Sequence, residues 1–188
     1  MGSASSRGSD RGPAPSLAKV EADYLPMTDP ESTTRGYIAL LEGRPIGFIQ
    51  SYVVFGSGGG WWDQEADPGA RGIDQFLANA EQLGRGLGSS MAYAFVNDLF
   101  LDLSVTKVQT DPSPENERAI RSYARAGFQP QRVVNTSDGP ALLTVYCRPR
   151  KLILRHSKDP EVRPGLVLRP KGVGGRLAKV RREVNDSL

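Results

Sequence analysis

Gln82-Leu83-Gly84-Arg85-Gly86-Leu87-Gly88 opens a segment that closes with Asn116-x-x-Ala119-x-x-x-Tyr123-x-x-x-Gly127-Phe128. The glycine-rich turn runs directly into a stretch with apolar residues at helical spacing: Leu87, Met91, Ala94, Phe95 and Leu99. A helix that starts on such a turn leaves several backbone N–H groups without partners, and its dipole adds positive potential there. The combination suits a phosphate. Taken alone, the loop reads equally well as a flexible turn capping a core helix. No Lys-Ser or Lys-Thr follows, so it is not a P-loop. The acidic residue and second βαβ unit of a dinucleotide fingerprint are also missing.

The closing half adds a strand, Val105–Thr110, then Asp111-Pro112-Ser113-Pro114. A helix follows with Glu115 and Glu117 in its first turn and Gly127 just past its end. Loop, helix, strand and the Asn–Ala–Tyr–Gly-Phe spacing together resemble the GNAT acetyltransferase superfamily. Further runs narrow the likeness to the aminoglycoside 6′-N-acetyltransferases, over roughly residues 13 to 147. They are Gln50-Ser51-Tyr52, Gly56 to Trp62, Asp67-Pro68-Gly69-Ala70-Arg71-Gly72-Ile73-Asp74-Gln75, Gln109 to Pro114, and Asp138-Gly139-Pro140-Ala141.

The resemblance implies an α/β GNAT-type fold: a central mixed, mostly antiparallel sheet flanked by helices. It implies acetyl-CoA as co-substrate, no metal, and transfer of acetyl to the 6′-amine of an aminoglycoside, conferring resistance. Gln82, Leu83, Gly84, Arg85, Gly86, Leu87, Gly88, Ser89, Asn116 and Tyr123 are then expected to hold the cofactor. Tyr24, Trp62, Asp74, Asp111 and Asp138 match acceptor-pocket positions. Two departures concern the loop and the pocket. Leu83 stands where the superfamily usually carries Gln or Arg, and Gly59 stands where these enzymes usually carry a drug-binding acid.

Amine acetylation needs the thioester held still, a proton removed from the ammonium, and the leaving thiolate protonated. Asp74, between Ile73 and Phe76 just before the loop, is the candidate base. Tyr123 is the candidate acid. The structural alternatives are an exposed strand carboxylate and a half-buried core tyrosine. Trp61 and Trp62 read equally well as core.

Composition bounds the rest. At 188 residues the chain is one domain with tails. We expect residues 1–12 to be disordered or vector-derived, 13–147 to form the catalytic domain and 148–188 to form a basic tail. Residues 1–147 carry 12 Lys and Arg against 17 Asp and Glu, a net of −5. Residues 148–188 carry 12 against 4, a net of +8. An acidic domain suits a polycationic acceptor. The tail reads as a solvated extension; without interleaved aromatics it does not point to nucleic acid. No run of 18 apolar residues points to a membrane span. Met1-Gly2 with Ser6 fits a myristoylation pattern, but nothing else suggests a lipid anchor.

Cys147 is the only cysteine and His156 the only histidine. They speak against an internal disulfide or a zinc site, and the cytoplasm is the expected compartment. Cys147 reads as a small core residue at a strand end. The strand that ordinarily begins this fold has no counterpart in the glycine- and serine-rich start, so a sheet edge is expected to be exposed. The chain would then be a monomer or a dimer. Two other functions stay open: acetylation of a different small amine, and a degenerate acetyl-CoA-binding protein without activity.

Overall fold

Seven strands form one sheet, in the spatial order β5-β6-β4-β3-β2-β1-β7. They are β1 (Thr34–Leu41), β2 (Arg44–Val53), β3 (Ala70–Leu77), β4 (Lys107–Thr110), β5 (Gln129–Thr136), β6 (Gly139–Cys147) and β7 (Leu166–Pro170). Among the described residues three α-helices accompany them: α1 (Leu17–Tyr24), α2 (Leu87–Leu99) and α3 (Glu117–Arg125). The computed structural model describes residues 16–29, 31–57, 62, 64–136, 139–149 and 162–170. Residues 1–12, expected to be disordered or vector-derived, and Gly59, Asp138 and His156 lie outside the described residues.

The local reasons for these elements are readable. Ser16 caps α1, its Oγ accepting from the Lys19 N–H at 3.2 Å. Asn116 caps α3 in the same way, through the Ala119 N–H at 3.1 Å. The hairpins β1–β2 and β5–β6 are antiparallel. β3 and β4 alone run parallel, and α2 supplies the crossover that parallel strands require. On one sheet face Ile49, Ile73 and Val108 pack against Met91 and Phe95 of α2 and Tyr123 of α3. On the other, Val54, Trp62, Ala70 and Leu143 form a smaller cluster.

The tail departs from its expected form. Residues 166–170 are not a solvated extension: β7 pairs antiparallel with β1 over Tyr37–Leu41 and covers the edge expected to be exposed. Leu166 and Leu168 alternate into the main core, as period-2 burial demands. Arg148 is likewise part of the domain. Its guanidinium donates to the carbonyls of Val105 (2.7 Å), Phe100 (2.8 Å) and Asp102, and it lies over the Phe100 ring. It thereby satisfies backbone acceptors just past the end of α2. Cys147, expected in the core, is exposed. It ends β6 opposite Lys107, the first residue of β4, where the sheet runs out.

If β7 is integral, truncating its fully buried leucine must cost core energy. Leu168→Ala should destabilise the full-length protein by about 2–5 kcal/mol in urea unfolding. A solvated tail would show no change.

Candidate active site

β3 and β4 pair at only three positions, ending at Gly72↔Gln109. Beyond that point β3 stays with β2 as far as Leu77, while β4 stops at Thr110. The parallel strands therefore part at their carboxyl ends, the position where open α/β sheets place ligands. Asp74 lies on β3, Asp111 directly follows β4, and the buried Tyr123 of α3 stands at the same opening.

The glycine loop flanks this opening. Gly84 and Gly86 both hold φ of 76°, a left-handed conformation that side chains disfavour. Gly86 is the N-cap of α2 and offers no side chain, and the first intrahelical bond there runs from Ser90 N–H to Gly86 O at 3.0 Å. The amides of Leu87, Gly88 and Ser89 precede it and have no intrahelical acceptor. A cleft of about 440 Å³ lies here, between the loop and α3. Gln82, Leu83, Gly84, Gly86, Leu87, Gly88, Ser89, Asn116 and Tyr123 all line it. Arg85, in the same loop, points its side chain to solvent. Leu83 is 40% exposed, so the side chain that departs from the superfamily pattern stands at the cleft's rim.

Several lining residues were not anticipated. Arg118, Arg121, Ser122 and Arg125 share one face of α3, at spacings of three and four, and bring guanidinium groups to the cleft. That periodicity was available in the sequence; its direction was not. Arg121 is partly neutralised by Glu117 at 2.7 Å. Ser122 Oγ meets Ser89 Oγ at 3.2 Å and ties α3 to the start of α2. Gln75 donates to the Gly88 carbonyl at 3.2 Å and also bonds the Tyr123 hydroxyl.

Burial, opposed by hydrogen bonds from Thr110 and Gln75, pushes the Tyr123 phenol up to about 12; the nearby charges of Asp74 and Asp111 add to the rise. Tyr123 therefore keeps its proton at neutral pH. Asp74 accepts a hydrogen bond from Gln50 Nε2 at 2.9 Å. Its side chain reaches solvent on one side. Loss of hydration there lifts its carboxyl above the ordinary range, against the pull of Gln50.

The face of β3 that carries Asp74 is lined with aromatic rings. Tyr24 meets Phe48 edge-on at 5.1 Å, and Phe48 stacks on Phe76 at 5.5 Å. Tyr52 lies across Gly72 so closely that a Cβ there would fall 2.2 Å from its ring. Trp62 is buried and donates its indole N–H to the Tyr52 hydroxyl at 3.3 Å. Trp62 is thus a core residue, as one of its two readings had it, and it props a tyrosine of this face. Gln109, paired with Gly72 across the sheet, is 1% exposed, and neither atom of its amide has a partner among the described residues. Strand alternation places it opposite the Val108 face, a feature that neither composition nor spacing reveals.

Guanidinium groups and free amides thus lie on one side of the opening, and carboxylates with aromatic rings on the other. The acetyltransferase (GNAT) domain family matches residues 11–136. Aminoglycoside N(6')-acetyltransferase type 1 of Klebsiella pneumoniae is 57% identical over 134 residues, covering 71% of this chain and 67% of the relative. A kanamycin resistance protein of Rhizobium radiobacter is 60% identical over 90 residues, 48% of this chain and 83% of the relative. The crystal structure of aminoglycoside acetyltransferase AAC(6')-Ib in complex with coenzyme A and kanamycin superposes with a TM-score of 0.68 at 57% identity, covering 71% of this chain and 78% of that one. On sequence and fold together, this chain belongs to the GNAT acetyltransferase family.

Proposed function

We propose that the protein transfers an acetyl group from acetyl-CoA to the 6′-amine of aminoglycoside antibiotics, in the cytoplasm, and so confers resistance. The observation that carries this reading is the placement of Asp74 and Tyr123 near the point where β3 and β4 part, close enough that the Asp74 charge acts on the Tyr123 phenol, with Tyr123 also lining the cleft of the glycine loop. Relatives named for this activity support it at 57% identity.

The residues present fit the co-substrate. Left-handed Gly84 and Gly86, the amides of Leu87 to Ser89, and the arginines of α3 form an anion-binding cleft. Bound acetyl-CoA supplies the thioester from which the acetyl group passes to the amine. Asp74 then holds the acceptor's ammonium and takes its proton, directly or through water, and its raised pKa makes it a better base than an ordinary aspartate. Tyr123, still protonated at neutral pH, donates its phenolic proton to the departing sulfur. Tyr24, Phe48 and Phe76 offer flat apolar surface to a sugar ring, and Asp74 and Asp111 offer charge to its amines. No helix among the described residues is long and apolar enough to cross a membrane.

The test is release of free CoA thiol from acetyl-CoA and kanamycin by the purified protein. Asp74→Asn should lower kcat by about 10²–10⁴-fold, the range for losing a general base. A homologue with a hydroxyl in place of the 6′-amine should be acetylated poorly; equal turnover would defeat the regiochemistry. A second small amine clearly preferred over kanamycin would move the protein to the other acceptor class.

For the wild type, kcat/KM should rise with pH through the Asp74 pKa, above the ordinary carboxylate value of 3.8. The same shift has a stability consequence. Because the folded-state pKa is raised, the folded form binds more protons than the unfolded form between the two values, and stability falls as pH rises through that window. Asp74→Asn lacks this fall. Urea unfolding should therefore show the mutant gaining on the wild type between pH 3 and pH 7, while its activity is lost.

A further inference from the structure

The basic segment after Cys147 lies beyond the family match, which ends at residue 136. Part of it nevertheless reaches the phosphate loop. β7 is held by its register with β1, from Tyr37↔Pro170 to Leu41↔Leu166. Gly165 O accepts from the Glu42 N–H at 3.2 Å, and Val162 packs against the main core. Between these anchors, Arg163 extends its guanidinium to the carbonyl of Arg85. That carbonyl belongs to the residue between Gly84 and Gly86, the two left-handed positions that shape the turn.

The chemistry of this contact is specific. A loop with two left-handed glycines has many alternative conformations, and binding an anion on it costs the entropy of choosing one. A charged donor fixed to a strand and bonded to the central carbonyl removes part of that cost in advance. It occupies the acceptor of the loop and leaves the donors free for phosphate. It also brings a second cation beside Arg85, and neither arginine enters an ion pair among the described residues.

We propose that Arg163 is a positioning residue of the cofactor loop, carried there by β7, so that the basic tail is a working part of the coenzyme site. The proposal rests on the glycine loop being the site for the phosphates of acetyl-CoA.

The experiment compares the full-length wild type with Arg163→Ala. Calorimetric titration with CoA should show binding weakened about tenfold, the scale of one hydrogen bond to a charged group at a partly exposed site. In the unliganded protein, amide hydrogens of residues 84–88 should exchange faster, while those of Tyr37–Leu41 and Leu166–Leu168 keep their protection. A short acetyl thioester without phosphates, S-acetyl-N-acetylcysteamine, should be turned over equally by both proteins. Arg163→Lys should recover part of the CoA affinity.

Unchanged CoA affinity and unchanged loop exchange in Arg163→Ala would overturn the proposal. So would an equal loss with the phosphate-free thioester, which would mean general damage to the fold. If the wild type itself binds no CoA, the acetyl-CoA reading fails. Loop exchange then decides the role of Arg163 by itself: faster exchange supports the clamp, and unchanged exchange removes it.

Discussion

The pairing between β3 and β4 ends at Gly72 and Gln109, and the site depends on that ending. Parallel strands that continued together would hydrogen-bond to each other and close the gap. Here β4 runs into Asp111-Pro112, and proline cannot donate a backbone hydrogen bond to extend the ladder. β3 meanwhile continues beside β2 for five more residues. The opening that results exposes one edge of β3 and admits side chains from three separate elements. Asp74 comes from β3, Asp111 from the loop after β4 and Tyr123 from α3. No local segment could assemble that group.

Around the opening, charge is sorted by side. The cleft beside the glycine loop collects Arg118, Arg121 and Arg125 from one helix face, together with the amides at the start of α2 that have no intrahelical acceptor. The opposite face collects carboxylates and aromatic rings. The sorting affects proton chemistry as well as attraction. Burial lifts both Asp74 and Tyr123, and the Asp74 charge lifts Tyr123 further. In the proposed roles, Asp74 is thereby made a better base and Tyr123 is kept protonated, which suits a proton taken on one side and returned on the other. The fold carries a cost for this arrangement, since a partly dehydrated carboxylate opposes stability at neutral pH.

The C-terminal segment shows how composition can mislead. Arginine and lysine interrupted by proline and glycine resemble a solvated tail. Within it, Leu166-Val167-Leu168 is a short alternating stretch that an unpaired strand edge can capture. Once captured, it buries two leucines and covers β1. Arg148 gives the same lesson at the boundary. Its charge suggested the start of a tail, but its planar fork of donors answers carbonyls left open after α2.

Helix and strand identities and the glycine turn into α2 were legible in the sequence, because they follow from periodicity and local chemistry; the start of α3 was placed too early, since Asn116 caps it and Glu115, expected in its first turn, lies before it. Asp74 and Tyr123 were legible as types in a motif, and most of the glycine-loop residues line one cleft. The tertiary structure alone decided which groups meet and how their protons are held. Gln75 linking α2 to Tyr123, Gln50 on Asp74, Trp62 propping Tyr52, the arginines of α3 turned to the cleft and Arg163 on the loop are contacts between residues far apart in the chain. Local patterning says which face of an element is apolar; it does not say which distant polar group will stand opposite. That choice is made by strand order and by the desolvation that packing imposes, and both exist only in the folded sheet.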